Sequence, residues 1–256
     1  VRNLFDHHFT LKPGTRVYIP TDEGRDRGRE IKRRVEKAWK APPNFFHLRE
    51  GGHVAAARRH KDHPWVASLD LQRFYDQILR SRVHRSLKRI GFDHDDAFEM
   101  ACDSVVDKKP PQREFSLPFG FVQSPLLASV VFHHSALGHA IRQLKRDGLT
   151  VTVYVDDVTL SGETEQAVLS GVQELETAAA DSNFAFNEAK KQGPCDEVTA
   201  FNIRFGSGTF EIEEARMDAF KRAIEVGSDW SIDGILGYVG AVNQDQFEAL
   251  VAGTGN

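Results

Sequence analysis

Cysteine is scarce in this chain of 256 residues: only Cys102 and Cys195 are present, far apart. That excludes a disulfide framework and a zinc site of clustered thiolates, and it suits a reducing cytoplasm. Long apolar runs are missing too. No stretch approaches the roughly 20 residues of a membrane-spanning helix, and no signal-peptide pattern opens the sequence. The expected location is therefore cytoplasmic, with no membrane partner. Internal repeats and low-complexity segments are also lacking. With 40% hydrophobic residues, the chain can bury a sizeable core as one domain with lobes.

A net charge of −4 hides a gradient. Residues 1–60 hold 14 Lys+Arg against 7 Asp+Glu, whereas residues 192–256 hold 4 against 11. A basic front suits phosphates, and an acidic tail does not suit gripping a duplex.

The most informative stretch is 151–160. Apolar, β-branched and aromatic residues run into Asp156-Asp157, and a second β-like run follows. This reads as a hairpin with the two acids at its tip. Adjacent carboxylates at a turn repel each other unless a cation sits between them, and a hard divalent metal is the natural occupant. A solvated turn would account for an isolated Asp pair equally well.

Residues 1–23 read as irregular, with a short β-like run at 16–20. Residues 25–40 read as a basic helix with Ile31, Val35 and Trp39 on one face, stopped by Pro42-Pro43. Gly51-Gly52 is a turn signal between a strand-like segment and an Ala-rich one that could be strand or helix. Arg49, Arg58 and Arg59 lie near that turn, where a mobile hairpin carrying cations could hold a triphosphate. Ordinary surface arginines fit the same spacing.

Residues 65–78 form a buried apolar strand ending in Asp70, followed by a turn with Phe74, Tyr75 and Ile78 as anchors. Asp76 reads as a local cap or ion-pair partner. Two helices follow over 80–107, with Asp95 and Asp96 as N-terminal helix acids, then a loop at 108–111. Phe119-Gly120 leads through Gln123 to Ser124-Pro125 and an apolar helix, with Ser124 as cap and Pro125 in the first turn. Such a junction offers backbone N–H groups to a nucleotide. His133 and His134 read as packing residues. Beyond the Asp156-Asp157 hairpin come a helix over 166–182, strand and turn over 184–191, a strand over 197–205, a hairpin through 206–208, and helices over 213–226 and 237–250. The layout is α+β.

Asp70 and the Asp156-Asp157 pair are about 86 residues apart in sequence, yet each ends or turns a strand. If those strands are neighbours, three carboxylates meet. Two Mg²⁺ ions about 3.5–4 Å apart, with Mn²⁺ as a substitute, could then clamp the attacking and leaving oxygens of an in-line phosphoryl transfer.

Five motifs in order, Ser68-Leu69-Asp70 through Tyr75, Gly120 through Pro125, Tyr154-Val155-Asp156-Asp157, Asn187 through Lys190, and Val198 through Phe201, resemble the palm motifs of reverse transcriptases. The segment Leu48 to His53 is most similar to bacterial enzymes of the retron, group II intron and abortive-infection (phage-defence) groups. The resemblance implies a right-hand polymerase fold. It divides the chain into small basic fingers at 1–64, an antiparallel palm sheet with helices at 65–205, and a short, acidic, helical thumb-like region at 206–256. It implies RNA-directed DNA synthesis from dNTPs on an RNA template, a dedicated non-coding RNA being one form of it, in a defence or retron-like system. Asp70 and Asp156 would ligate both metals, Asp157 would support them, and the Leu71 carbonyl would complete a shell. Tyr75 would be the gate against a ribose 2′-OH. Gly120, Ser124 and Pro125 would floor the nucleotide site. Lys190, with Lys191 one residue along as the alternative, would sit near the leaving phosphates.

Two departures matter. Phe119 stands where the family usually has a Gln that touches the incoming sugar, and Gln123 follows later as a further candidate contact. The acidic C-terminal region predicts weak duplex grip, so a fixed RNA, a protein partner or a second copy of the chain is expected to help. Non-templated or protein-primed synthesis, a palm-fold RNA polymerase or nucleotidyl cyclase, and a non-catalytic RNA-binding scaffold are the competing readings.

Overall fold

The computed structural model describes residues 4–12, 14–108 and 113–254. The expected loop at 108–111 lies outside the described residues except for Lys108. Among the described residues no helix is long and apolar enough to cross a membrane.

The chain opens as an antiparallel hairpin of β1 (Phe5–Lys12) and β2 (Thr15–Pro20). This corrects the irregular start expected for 1–23. Most of β1 is exposed, so its residues carry no alternation of buried and exposed types from which a strand could be read. Helix α1 (Asp22–Ala38) begins earlier than its apolar face, because Thr21 caps it by accepting the Gly24 N–H at 2.9 Å. Ile31 and Val35 are fully buried.

A 3-10 turn at Phe46–Leu48 leads into α2 (Gly52–Arg58). The cation-bearing hairpin expected here is not formed. Gly51 and Gly52 both take positive φ, 81° and 52°, and they start a helix rather than reverse a strand pair.

Strand β3 (Trp65–Asp70) is followed by a 3-10 turn at Phe74–Gln77, α3 (Arg80–Arg89), α4 (His94–Cys102) and the short pair β4 (Val106–Asp107) and β5 (Phe115–Ser116). Asp93 caps α4, and Asp95 and Asp96 lie in its first turn. Next come α5 (Ser124–His133), α6 (Ala136–Arg146), the hairpin β6 (Thr150–Tyr154) and β7 (Asp157–Gly162), and α7 (Glu165–Asp181). Strand β8 (Gln192–Cys195) completes an antiparallel sheet in the order β6-β7-β3-β8.

The two faces of this sheet differ because residues alternate along each strand. Ala67, Leu69, Val151, Val153, Val158 and Leu160 face the main core with Leu127, Ile141 and Leu175 from the helices. The opposite face is a polar stripe. Ser68 pairs Thr159, Thr159 pairs Thr152, and the stripe ends at Asp70 opposite Asp157. His60 covers the far part of the stripe. Its ring is fully buried, with Nδ1 2.7 Å from Ser161 Oγ and Nε2 2.8 Å from Thr152 Oγ1.

The stretch 197–205 is two strands, β9 (Val198–Ala200) and β10 (Ile203–Gly206), not one. Phe201 and Asn202 both have left-handed φ, 58° and 60°, and fold the chain back. With β11 (Thr209–Ile212) they form a three-stranded sheet. It shares a second core with α8 (Glu214–Val226), α9 (Asp229–Val242) and α10 (Gln244–Thr254).

Burial lowers the His60 pKa to about 3, with nearby His63 adding to the effect. The unfolded chain takes up this proton near pH 6.5 and the folded chain only near pH 3, so the stability this group contributes is complete above pH 6.5 and is lost as pH falls towards 3. Between pH 7.5 and 5 the loss is about 2 kcal/mol. His60→Gln keeps a donor and an acceptor without titrating. In urea unfolding at the two pH values it is expected to lose about 2 kcal/mol less than the wild type.

Candidate active site

The register of β3 and β7 places Asp70 and Asp157 directly opposite each other. Tyr154 pairs with Asp157 across the hairpin, so Val155 and Asp156 alone make the turn. Val155 has φ 59°, the sense that a tight two-residue hairpin turn requires and that a β-branched residue resists. The Leu71 N–H donates to the Asp156 carbonyl at 2.8 Å, and the Asn187 N–H to the Asp70 carbonyl at 2.8 Å. The three acids thus sit on two backbone segments, the end of β3 and the β6–β7 turn, tied to each other and to the segment at Asn187. The Leu71 carbonyl lies on the strand edge that faces the hairpin tip, the edge of its own N–H.

Their charges are poorly relieved. Burial pushes the Asp157 carboxyl up to about 7, reinforced by Asp156 and Asp70. Burial also raises Asp156, and Asp70 adds to that, while its own backbone N–H, Lys190 and Lys12 pull it back. Lys190 ends a 3-10 turn (Glu188–Lys190) capped by Asn187. Its Nζ lies 2.8 Å from Asp70 Oδ2, and that hydrogen bond raises its pKa. Lys190 therefore stands on a carboxylate, whereas Lys191 is paired with Glu176.

Among the described residues no group of three His, Cys, Asp or Glu is closed into a ready coordination shell. The donor chemistry nonetheless fits a hard divalent cation: three carboxylates and a carbonyl, all oxygen, with more negative charge than Lys190 offsets.

Tyr75 follows Asp70 on the 3-10 turn. Burial, then Asp156, raises its hydroxyl pKa. Phe119 packs edge-on against Tyr75, with ring centroids 5.8 Å apart, and stays 43% exposed. Together they form an aromatic wall beside the carboxylates. Gly120 has φ 113°, and a Cβ there would lie 2.3 Å from the Tyr18 carbonyl oxygen. Its lack of a side chain lets β2 pass, where the Tyr18 N–H donates to the Phe119 carbonyl at 2.8 Å.

Several expected contacts are not brought together. Gln123 is 1% exposed and turns inward, its Nε2 3.4 Å from the Asp103 carbonyl and from Ser104 Oγ. Gly28 of α1 leaves room for it. Ser124 does not cap α5. Gln123 holds the N-cap position, and Ser124 Oγ is buried without a hydrogen-bond partner. Pro125 is in the first turn as expected. Arg49 donates to the Pro43 carbonyl and lies over the Phe46 ring. Arg58 donates to the Ala241 carbonyl and lies 4.5 Å from the Phe210 ring centroid. Neither guanidinium contacts the three acids.

Other cations around the β1–β2 hairpin were missed in the sequence, and one of them acts on the acids. Lys12 ends β1 and acts electrostatically on Asp156. Arg16, Arg73 and Lys108 line a cavity of about 310 Å³ under the β1–β2 hairpin. Lys108 is held there by Asp76, which is also paired with Arg73. The available signal was Gly14 between Lys12 and Arg16, a turn residue flanked by cations.

Comparison with known proteins agrees with this geometry. Residues 11–212 match the family model described as reverse transcriptase (RNA-dependent DNA polymerase). A retron Mx65 reverse transcriptase of Myxococcus xanthus is 28% identical over 207 residues, spanning 72% of this chain and 48% of that protein. Two solved structures share the fold. One is a foamy viral protease-reverse transcriptase in complex with double-stranded DNA (TM-score 0.51, 14% identity, 90% of this chain and 34% of that one). The other is a telomerase from Candida albicans in complex with a fragment of telomeric RNA (TM-score 0.54, 8% identity, 89% and 47%). The chain spans less than half the length of each of these relatives.

Because Asp157 is desolvated beside two like charges, Asp157→Asn is expected to raise stability by about 1–2 kcal/mol in metal-free buffer. Millimolar Mg²⁺ should raise the wild-type melting temperature and leave an Asp156→Asn/Asp157→Asn protein unmoved. Chelator and Mg²⁺ titrations followed by thermal melts read both effects.

Proposed function

The chain belongs to the reverse transcriptase family, and we propose that it is an RNA-directed DNA polymerase whose reaction centre is Asp70, Asp156 and Asp157. The observation that carries this reading is the cross-strand pairing of Asp70 with Asp157 beside the Asp156 turn. The family works with divalent metal ions. Two Mg²⁺ ions held by Asp70, Asp156, Asp157 and the Leu71 carbonyl would lower the pKa of a primer 3′-hydroxyl and offset charge on the leaving pyrophosphate.

The chain's own side chains supply the remainder. Tyr75 and Phe119 make the wall against which a deoxyribose packs, and the buried Tyr75 phenol stays protonated. A 2′-hydroxyl would meet that wall, so dNTPs are the substrates. With an aromatic ring at 119 in place of an amide, sugar selection rests on shape and not on a side-chain hydrogen bond. Lys190, released from Asp70 when the carboxylates are otherwise neutralised, would donate a proton to the leaving phosphate. Lys12, which acts on Asp156 from the end of β1, suits the triphosphate.

In this reading residues 1–64 act as fingers, 65–205 as palm and 206–256 as a thumb-like region, although β9 and β10 pack with the C-terminal helices. The template is RNA, and the similarity to a retron enzyme supports a dedicated RNA and a defence role in the cytoplasm. The acidic C-terminal region supports help from a partner in holding the duplex.

Purified protein with Mg²⁺ or Mn²⁺, labelled dNTPs and an RNA template with a DNA primer is expected to give DNase-sensitive product. Asp156→Ala/Asp157→Ala should lower the rate at least about 10³-fold. Tyr75→Ala should admit rNTPs, raising their use relative to dNTPs at least about 10-fold. Product that resists DNase, or persists in the double variant, would overturn the reading.

A further inference from the structure

The hairpin tip carries a conformational cost that its own residues do not relieve. Among the described non-glycine residues with left-handed φ, Val155 is the only β-branched one. It takes the first central position of a two-residue turn, where only φ > 0 closes the hairpin and glycine is usual. Its N–H points out of the β6–β7 ladder. That N–H donates to His47 Nδ1 at 2.9 Å.

An acceptor at Nδ1 fixes the tautomer: the ring proton is on Nε2. Nε2 lies 2.7 Å from Ser129 Oγ, which therefore accepts. Ser129 Oγ in turn donates to the Pro125 carbonyl at 2.7 Å. Each donor in this chain has one acceptor, from the turn, through the imidazole, to the first turn of α5. The ring is held on the other side as well. Val153 N–H donates to the Asn44 carbonyl at 2.8 Å, Phe45 and Val153 form a parallel bridge, and the Tyr154 ring meets His47 edge-on at 5.9 Å. Burial keeps the imidazole neutral, lowering its pKa to about 4 against the pull of the Val153 carbonyl.

We propose that His47 is a positioning residue that clamps Val155 in its left-handed conformation and couples the Asp156-Asp157 tip to the α5 floor. The argument rests on the reading of those acids as the reaction centre. The tip has two flanks. Leu71 N–H holds the Asp156 carbonyl on one, and His47 holds the Val155 N–H on the other. Rotating Val155 out of the left-handed region would move the Asp156 carboxylate, which follows it directly in the turn, relative to the Asp70–Asp157 pair held by strand register. A buried histidine that merely fills space needs no acceptor aimed at the one strained peptide of the site.

The test uses the full chain and two substitutions. His47→Phe keeps the ring and removes the acceptor. His47→Gln restores a donor and an acceptor side by side. In the wild type, ¹⁵N spectra should show Nδ1 unprotonated and Nε2 protonated. In His47→Phe, the Val155 amide should exchange about 10-fold faster, and Mn²⁺ binding followed by water-proton relaxation should weaken about 10-fold. The kcat should fall about 10- to 100-fold with dNTP KM within about 3-fold. His47→Gln should recover most of each loss. Adding Val155→Gly to His47→Phe should also recover part of the Mn²⁺ affinity, because glycine takes the turn without a clamp.

A folded His47→Phe protein with unchanged Val155 exchange and Mn²⁺ affinity would overturn the proposal. So would a wild-type ring protonated at Nδ1, a result readable even if His47→Phe does not fold. If the wild type binds Mn²⁺ but makes no DNA, the polymerase reading fails while the exchange and Mn²⁺ measurements still decide the clamp.

Discussion

Three carboxylates forced together by strand register are the constraint on which the rest of this molecule depends. Asp70 and Asp157 face each other because β3 and β7 pair without a slip over their whole length. A one-residue shift would send one of them into the apolar core. The sheet therefore has to be fixed by features that do not involve the acids. It is fixed on one face by Leu69, Val153, Val158 and Leu160 in the main core, and on the other by hydroxyls bonded to His60. The like charges oppose this arrangement, and among the described residues only Lys190 is paired with one of them.

The protonation preferences of the two ends of the polar stripe oppose each other. His60 is neutral and buried, so acid weakens the fold there. Asp157 has its carboxyl raised to about 7, so its contribution to stability is lost as pH rises from the ordinary carboxylate range through that value. The two ends of the stripe therefore respond to pH in opposite senses, His60 together with other buried histidines favouring the fold towards higher pH and Asp157 favouring it towards lower pH. A divalent cation would act only on the second. Binding at the acids is thus coupled to the stability of the whole sheet, through the same strands that His60 braces.

What was legible in the sequence was local. The hairpin at Asp156-Asp157, the strand ending at Asp70 and the capped helices each declare themselves within ten residues, by alternation or by a cap. What was not legible depends on contacts between distant segments. Gln123 looks like a polar loop residue until Gly28, on a different helix, is seen to leave space for it. Arg58 reads as a free cation because the carbonyl that binds it is at Ala241. The 51–58 segment carries glycines that suit either a hairpin or a left-handed helix start, and composition does not choose between them. His47 sits in a stretch with no periodic signal, and its partners are Ser129 and Val155.

The β1–β2 hairpin is joined to the site by backbone bonds as well as by packing of Tyr18 with Val106 and Phe121. Val17 bridges Phe119, Tyr18 N–H bonds the Phe119 carbonyl, and Gly120 clears the Tyr18 carbonyl. Phe119 in turn touches Tyr75, and Tyr75 follows Asp70. A displacement of the hairpin that carries Lys12 and Arg16 is thereby transmitted to the aromatic wall, with no charged contact needed along the way. Backbone bonds are insensitive to salt, whereas the Lys12 attraction to Asp156 is screened over about 8–10 Å at ordinary ionic strength. The position of the hairpin therefore rests on backbone bonds, the close approach at Gly120 and the packing of Tyr18, and its salt-sensitive charge contributes separately.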